Sequence, residues 1–124
     1  MAQIKIPKEK VAIVLIEPQK DFLSEGGTMY AHIKEQLAER HVIANLQDLL
    51  EKARGQVAKI FYCPFHPFDP GFPELKKGGP ACEGLRGIEM DMEADWGTGA
   101  WLRGTPGPEI IKELTPQPGD VVVE

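Results

Sequence analysis

Cysteine is scarce in this chain. Only Cys63 and Cys82 occur, nineteen positions apart. Two such residues make neither a disulfide framework nor a four-cysteine zinc site. Both thiols read as reduced, which points to the cytoplasm. Positive charge is also in short supply, with 14 Lys and Arg against 19 Asp and Glu and a net charge of −5. No basic cluster exceeds Lys76-Lys77, so a nucleic-acid partner is not expected. Long apolar runs are missing, and the N-terminus has no signal-peptide core, so a membrane partner is not expected either. Internal repeats and low-complexity tracts are absent, and no cofactor is expected.

What remains is ordinary globular material, 42% apolar and 27% charged, in a length that suits one domain. Its most informative stretch is Val11-Ala-Ile-Val-Leu-Ile-Glu-Pro-Gln-Lys-Asp-Phe-Leu23. The continuous aliphatic run over 11–16 predicts a strand buried on both faces, as in parallel sheets. Pro18 ends it. In open parallel sheets ligands bind beyond the carboxyl ends of strands, and Asp21 falls there. The competing reading of Asp21 is a solvated loop or cap residue.

The spacing of Val42, Leu46, Leu49 and Ala53, widened by Ile43 and Leu50, predicts a helix over roughly 34–54. Lys52 and Arg54 suit its last turn, and Gly55 suits its end. Val57–Cys63 predicts a second strand, closed by Pro64. Strand, helix, strand is the unit of a parallel sheet with a crossover. Residues 64–107 form a long connection rich in proline, glycine and aromatics, with short helices expected near Pro73–Lys77 and Met90–Ala94. Connections this long are often functional. Phe65, His66, Phe68, Trp96 and Trp101 are its candidate substrate-binding residues, lining a pocket above the strand ends. A satellite core beneath the loop explains the same aromatics. Pro108–Leu114 predicts a short helix, Thr115–Asp120 a turn, and Val121–Glu124 a third strand.

At this point the residues resemble a family, the isochorismatase-like cysteine hydrolases, which include nicotinamidases and N-carbamoyl amidohydrolases. Gln19-Lys20-Asp21-Phe22 matches the motif after the family's first strand. Asn45 with Leu49-Leu50 matches its helix, and Phe61-Tyr-Cys-Pro-Phe-His66-Pro67 its second strand and loop. Gly104-Thr-Pro-Gly-Pro-Glu-Ile-Ile-Lys-Glu-Leu-Thr-Pro-Gln-Pro-Gly-Asp120 is similar to its Gly-x-x-Gly-x-x-Ile-x-x-x-Leu-x-Pro-x-x-Gly-Asp segment, and is the strongest signal.

The resemblance implies an α/β fold, a three-layer α/β/α sandwich with a mostly parallel Rossmann-like sheet. This chain supplies its first three strands, ordered third, second, first. It implies hydrolysis of a small amide by an Asp-Lys-Cys triad in which Asp21 is the base. The lysine and cysteine have no matching positions, so residues 1–124 are expected to be one hydrolase domain truncated within or just after its third strand. A branch of the family instead cleaves the vinyl ether of isochorismate, with the same aspartate as general acid. The partners implied are a small-molecule substrate and either a homo-oligomer or the missing C-terminal part.

Other readings fit the residues less well. Cys63, at a strand end, reads as structural rather than nucleophilic. Nicotinamidases carry Asp-x-His where this chain has Pro64-Phe65-His66, so no metal is expected at His66. His32 and His41 read as surface residues. A receiver domain with Asp21 as phosphoacceptor lacks the paired acids after the first strand. A non-catalytic homologue, serving as a binding or assembly module, stays open.

Overall fold

The computed structural model describes residues 5–123. A 3-10 turn at Lys8–Lys10 leads into β1, Ala12–Ile16. Then come α1 (Lys20–Leu23), α2 (Tyr30–Glu39), α3 (Val42–Ala53) and β2 (Lys59–Cys63). The long connection holds α4 (Pro73–Lys76), α5 (Pro80–Met90) and a small hairpin of β3 (Glu93–Ala94) and β4 (Gly97–Thr98). A 3-10 turn at Lys112–Leu114 precedes β5, Val121–Val122.

The main sheet has the order β1-β2-β5, and both pairings are parallel. Val14 lies opposite Phe61, and Phe61 opposite Val121. The α/β class, the parallel sheet and its strand order are therefore those expected. One face carries Leu15, Ile60 and Tyr62, packed with Leu50 of α3 and with Ile111 and Leu114. Every apolar side chain buried there adds about 1.5–3 kcal/mol of hydrophobic free energy. The other face differs from the expectation of a strand buried on both sides. Val14 and Ile16 are 53% and 72% exposed, since no element among the described residues packs over them.

The long helix expected over 34–54 is two helices. His41 takes a left-handed conformation (φ 50°) between α2 and α3. The Asn45 side chain donates to the Arg40 carbonyl (2.8 Å), satisfying an acceptor that a broken helix would strand. The buried stripe of α3 is also rotated from the one read in the sequence. Leu50 and Ala53 are buried and Ile43 and Leu46 partly so, while Leu49 is 45% exposed.

Two further expectations fail for physical reasons. Residues 91–94 are not helical: the helix lies earlier, at Pro80–Met90, and Glu93–Ala94 pair with Gly97–Thr98. Pro108–Leu114 is not helical before Lys112. Its backbone is instead extended against the segment after β1. Lys20 N–H donates to Glu109 O (2.9 Å), Asp21 N–H to Gly107 O (3.0 Å) and Ile111 N–H to Pro18 O (3.1 Å). These bonds use the groups a helix would need.

At the opposite end of the sheet, Arg54 bonds Asp120 (2.9 Å) and the Tyr62 hydroxyl (3.3 Å). Burial works against the Arg54 charge, but the hydrogen bond and charge of Asp120 outweigh it and raise its pKa. Burial raises that of Tyr62. The pair ties the end of α3 to the turn before β5.

The rotated stripe gives a direct test. Leu50→Ala is expected to lower unfolding free energy by about 2–5 kcal/mol, while the exposed neighbour Leu49→Ala stays within about 0.5 kcal/mol. Urea unfolding followed by circular dichroism reads both. Equal losses would mean that the helix face is misassigned.

Candidate active site

Glu17 follows β1 in a left-handed conformation (φ 54°), and its N–H still donates to Cys63 O (2.9 Å). The turn delivers Gln19 and Asp21 just beyond the carboxyl end of the sheet. Both side chains are completely buried, at 0% exposure. Gln19 is a neutral clamp. Its amide donates to Phe65 O (2.9 Å) and Pro108 O (2.8 Å), and its carbonyl accepts from Phe65 N–H (2.7 Å). One side chain thus joins the loop after β2 to the segment at 106–110.

Asp21 is held by three donors. Oδ1 accepts from the Thr28 hydroxyl (3.0 Å) and Thr28 N–H (3.3 Å), and Oδ2 accepts from Trp101 N–H (2.8 Å). A solvated aspartate is thereby excluded. A carboxylate offers about four acceptor sites, so one remains, on Oδ2. Gly107 packs its Cα against the same carboxylate, and a Cβ there would overlap both oxygens. Gly27 is similarly constrained, because a Cβ would strike the carbonyls of Lys20 and Asp21.

Trp101 also has a left-handed backbone (φ 51°), unusual for a bulky residue. Its ring lies 5.2 Å from Phe22 and 5.0 Å from Phe65. Phe65 meets Phe68 edge to face at 5.4 Å, and Phe68 lies tilted against Phe72 at 5.1 Å. Phe68, Phe72, Ala100 and Trp101 form a second buried core. The structure therefore brings Phe65, Phe68 and Trp101 together. Trp101 contacts Asp21 through its backbone, and Phe68 is a core residue. His66 is exposed and lines a cavity of about 340 Å3 with Pro64, Phe65, Pro67, Arg103 and Val123. Trp96 is half-buried on the β3–β4 hairpin, apart from the aromatic stack. Another cavity, of about 430 Å3 beside α3, holds none of the expected site residues.

Gln19, Thr28 and Gly107 were not read as site residues from the sequence. Gln19 and Gly107 fall inside quoted motifs, which was the available signal. Thr28 follows Gly26-Gly27 without any marker of its own. Cys63 and Cys82 are both free and partly exposed. Among the described residues no group of three or more His, Cys, Asp and Glu side chains gathers to hold a metal, and no helix is long and apolar enough to cross a membrane.

The isochorismatase domain model matches residues 11–124 of this chain. The chain belongs to the isochorismatase family. Among solved structures, a cysteine hydrolase from Pseudomonas syringae pv. phaseolicola 1448A superposes with a TM-score of 0.58 at 21% identity. At that identity the likeness speaks for the fold. The match covers 95% of this chain and 46% of the other, so this chain spans about half the length of that relative. No match was found among curated proteins. The isochorismatase family is a hydrolase family, and Asp21 lies within the matched residues, after the first strand.

Two substitutions probe how Asp21 is held. Thr28→Val removes the hydroxyl donor and is expected to cost about 1–3 kcal/mol of stability, while Thr28→Ser keeps most of it. Gly107→Ala overpacks the carboxylate and is expected to cost about 1–3 kcal/mol. Chemical unfolding measures each; wild-type stability for Gly107→Ala would mean that the carboxylate is not packed there.

Proposed function

We propose that Asp21 is the proton-transfer residue of a hydrolase that cleaves a small amide through an Asp-Lys-Cys triad. One observation carries the reading: a fully buried carboxylate at the end of the first parallel strand, held by three donors, with one acceptor site left over. A proton acceptor works when it is held in place and its free lone pair is available. In the proposed reaction the cysteine thiol gives its proton to that site. The thiolate attacks the amide carbonyl carbon, and the resulting oxyanion takes hydrogen bonds from backbone N–H groups. The amine leaves with a proton, and water then releases the acid from the thioester.

The lysine and cysteine would come from polypeptide outside these 124 residues. Three features support this: an edge of β1 that pairs with no strand among the described residues, the exposed Val14 and Ile16 of that strand, and a matched relative about twice as long. Phe65 and His66 belong to the proposed substrate cleft. Phe68 and Trp101 act behind it, through packing and through the Trp101 N–H. Trp96, on the hairpin, is proposed to approach the cleft from outside the stack.

In the protein with its full active site, Asp21→Asn is expected to reduce turnover of small amides at least about a hundredfold. The asparagine amide would also face a backbone N–H in either orientation, so a stability measurement accompanies the kinetics. A folded variant that keeps more than about a tenth of the rate rules Asp21 out as the acid or base. Turnover of isochorismate but not of amides would assign the vinyl-ether chemistry instead.

The edge of β1, unpaired among the described residues, generates a second expectation, since such edges associate. Light scattering of the 124-residue chain alone should show self-association. A monodisperse monomer with a cooperative melt would count against a role for the edge in assembly.

A further inference from the structure

The cavity beside His66 combines an apolar wall with basic groups at the end of the sheet where Asp21 lies. It lies at the carboxyl end of the sheet, between residues that directly follow β2 (Pro64 to Pro67) and the residue that follows β5, Val123. Pro64, Phe65, Pro67 and Val123 make its wall apolar, and its ionisable groups are Arg103 and His66. Among the described residues none of those lining it is a carboxylate, although the whole chain carries a net charge of −5.

Arg103 is braced at the mouth. Its Nε donates to Asp69 (2.7 Å) and its Nη2 to Pro67 O (3.4 Å). A guanidinium has five N–H donors, so three remain for another acceptor. Asp69 is 52% exposed in its side chain and Arg103 54%, so their pair is weak in water and yields to a better-placed anion. Phe65 ties this cavity to the site, because its N–H bonds Gln19, two residues before Asp21.

We infer that this cavity binds a small carboxylate-bearing molecule, its carboxylate on Arg103 with His66 as a second polar contact and its apolar body against Phe65 and the prolines. The inference rests on the reading of the strand-end cleft as the substrate site, and it names the substrate class for that site. Arg favours this ligand because its planar fork matches a carboxylate. A volume of about 340 Å3 suits one ring or a short chain.

The test is a titration of the isotope-labelled 124-residue chain with benzoate, followed by amide shifts, with benzamide as the neutral probe. Benzoate should saturably shift residues 65, 66 and 103. It should bind about tenfold or more tightly than benzamide, the ratio expected for a hydrogen bond to a charged group. Arg103→Gln should bring benzoate down to the benzamide level, and Asp69→Asn, which frees Arg103, should strengthen benzoate. Equal affinity for the two probes, an unchanged Arg103→Gln, or no saturable shift with benzoate would each overturn the inference. Binding is thus judged without turnover, and a failed assignment of Asp21 shows itself separately in the kinetics.

Discussion

The constraint on which this structure depends is the burial of one carboxylate. Taking Asp21 out of water costs several kcal/mol unless donors replace the solvent. The donors come from distant parts of the chain: Thr28 is seven residues away and Trp101 eighty. Each fixes a segment that would otherwise be free. Thr28 pins the turn after α1. Trp101 pins the far end of the long connection, and in doing so holds a bulky residue in a left-handed conformation. The bond to Asp21 and the stacking on Phe22 and Phe65 offset that strain, which is of order 1–3 kcal/mol. Gly107 leaves room for the carboxylate to sit this deep.

Residues 17–22 therefore join two cores. On one side Pro18 and Lys20 pair with Ile111 and Glu109, and Ile111 belongs to the core of the sheet. On the other side Phe22 packs with Trp101 in the aromatic core. Gln19 sits between them and ties both flanking loops with neutral bonds. A charged clamp at that position would have needed its own set of donors. The amide serves both a carbonyl-rich and an N–H-bearing neighbour at once.

The sequence disclosed much of this, and its failures are instructive. Strands β1 and β2 were legible because aliphatic runs ending in Pro18 and Pro64 have few other readings. The placement of Asp21 beyond the sheet was legible from its position after such a strand. The break at His41 was hidden because the apolar spacing continues across it, and only the Asn45 bond to Arg40 O marks the turn. Helix α5 was hidden because Gly84 and Gly87 lower its helix propensity and Leu85 and Ile88 stay exposed, leaving a poor apolar stripe. The segment at 108–111 looked helical locally but is fixed by backbone bonds to residues 18–20, which no local pattern reveals. Thr28 was invisible for the same reason. Its role is defined by a partner that only folding brings near.

The division of labour at this site follows from which atoms do the holding. Two of the three donors on Asp21 are backbone N–H groups, and the Gly107 contact is also backbone. Side-chain substitution cannot remove these, so the carboxylate stays in place as long as the loops do. The residues around the neighbouring cavity are different. Phe65, His66 and Arg103 line the cavity with their side chains, and the ion pair of Arg103 is with an exposed Asp69. Changing His66 or Arg103 alters what fits without disturbing how Asp21 is held, whereas Phe65 also packs on Trp101. A fold arranged this way holds its buried carboxylate on a rigid base while the side chains around the neighbouring cavity are free to change, the arrangement expected when function sits on loops positioned by a rigid scaffold.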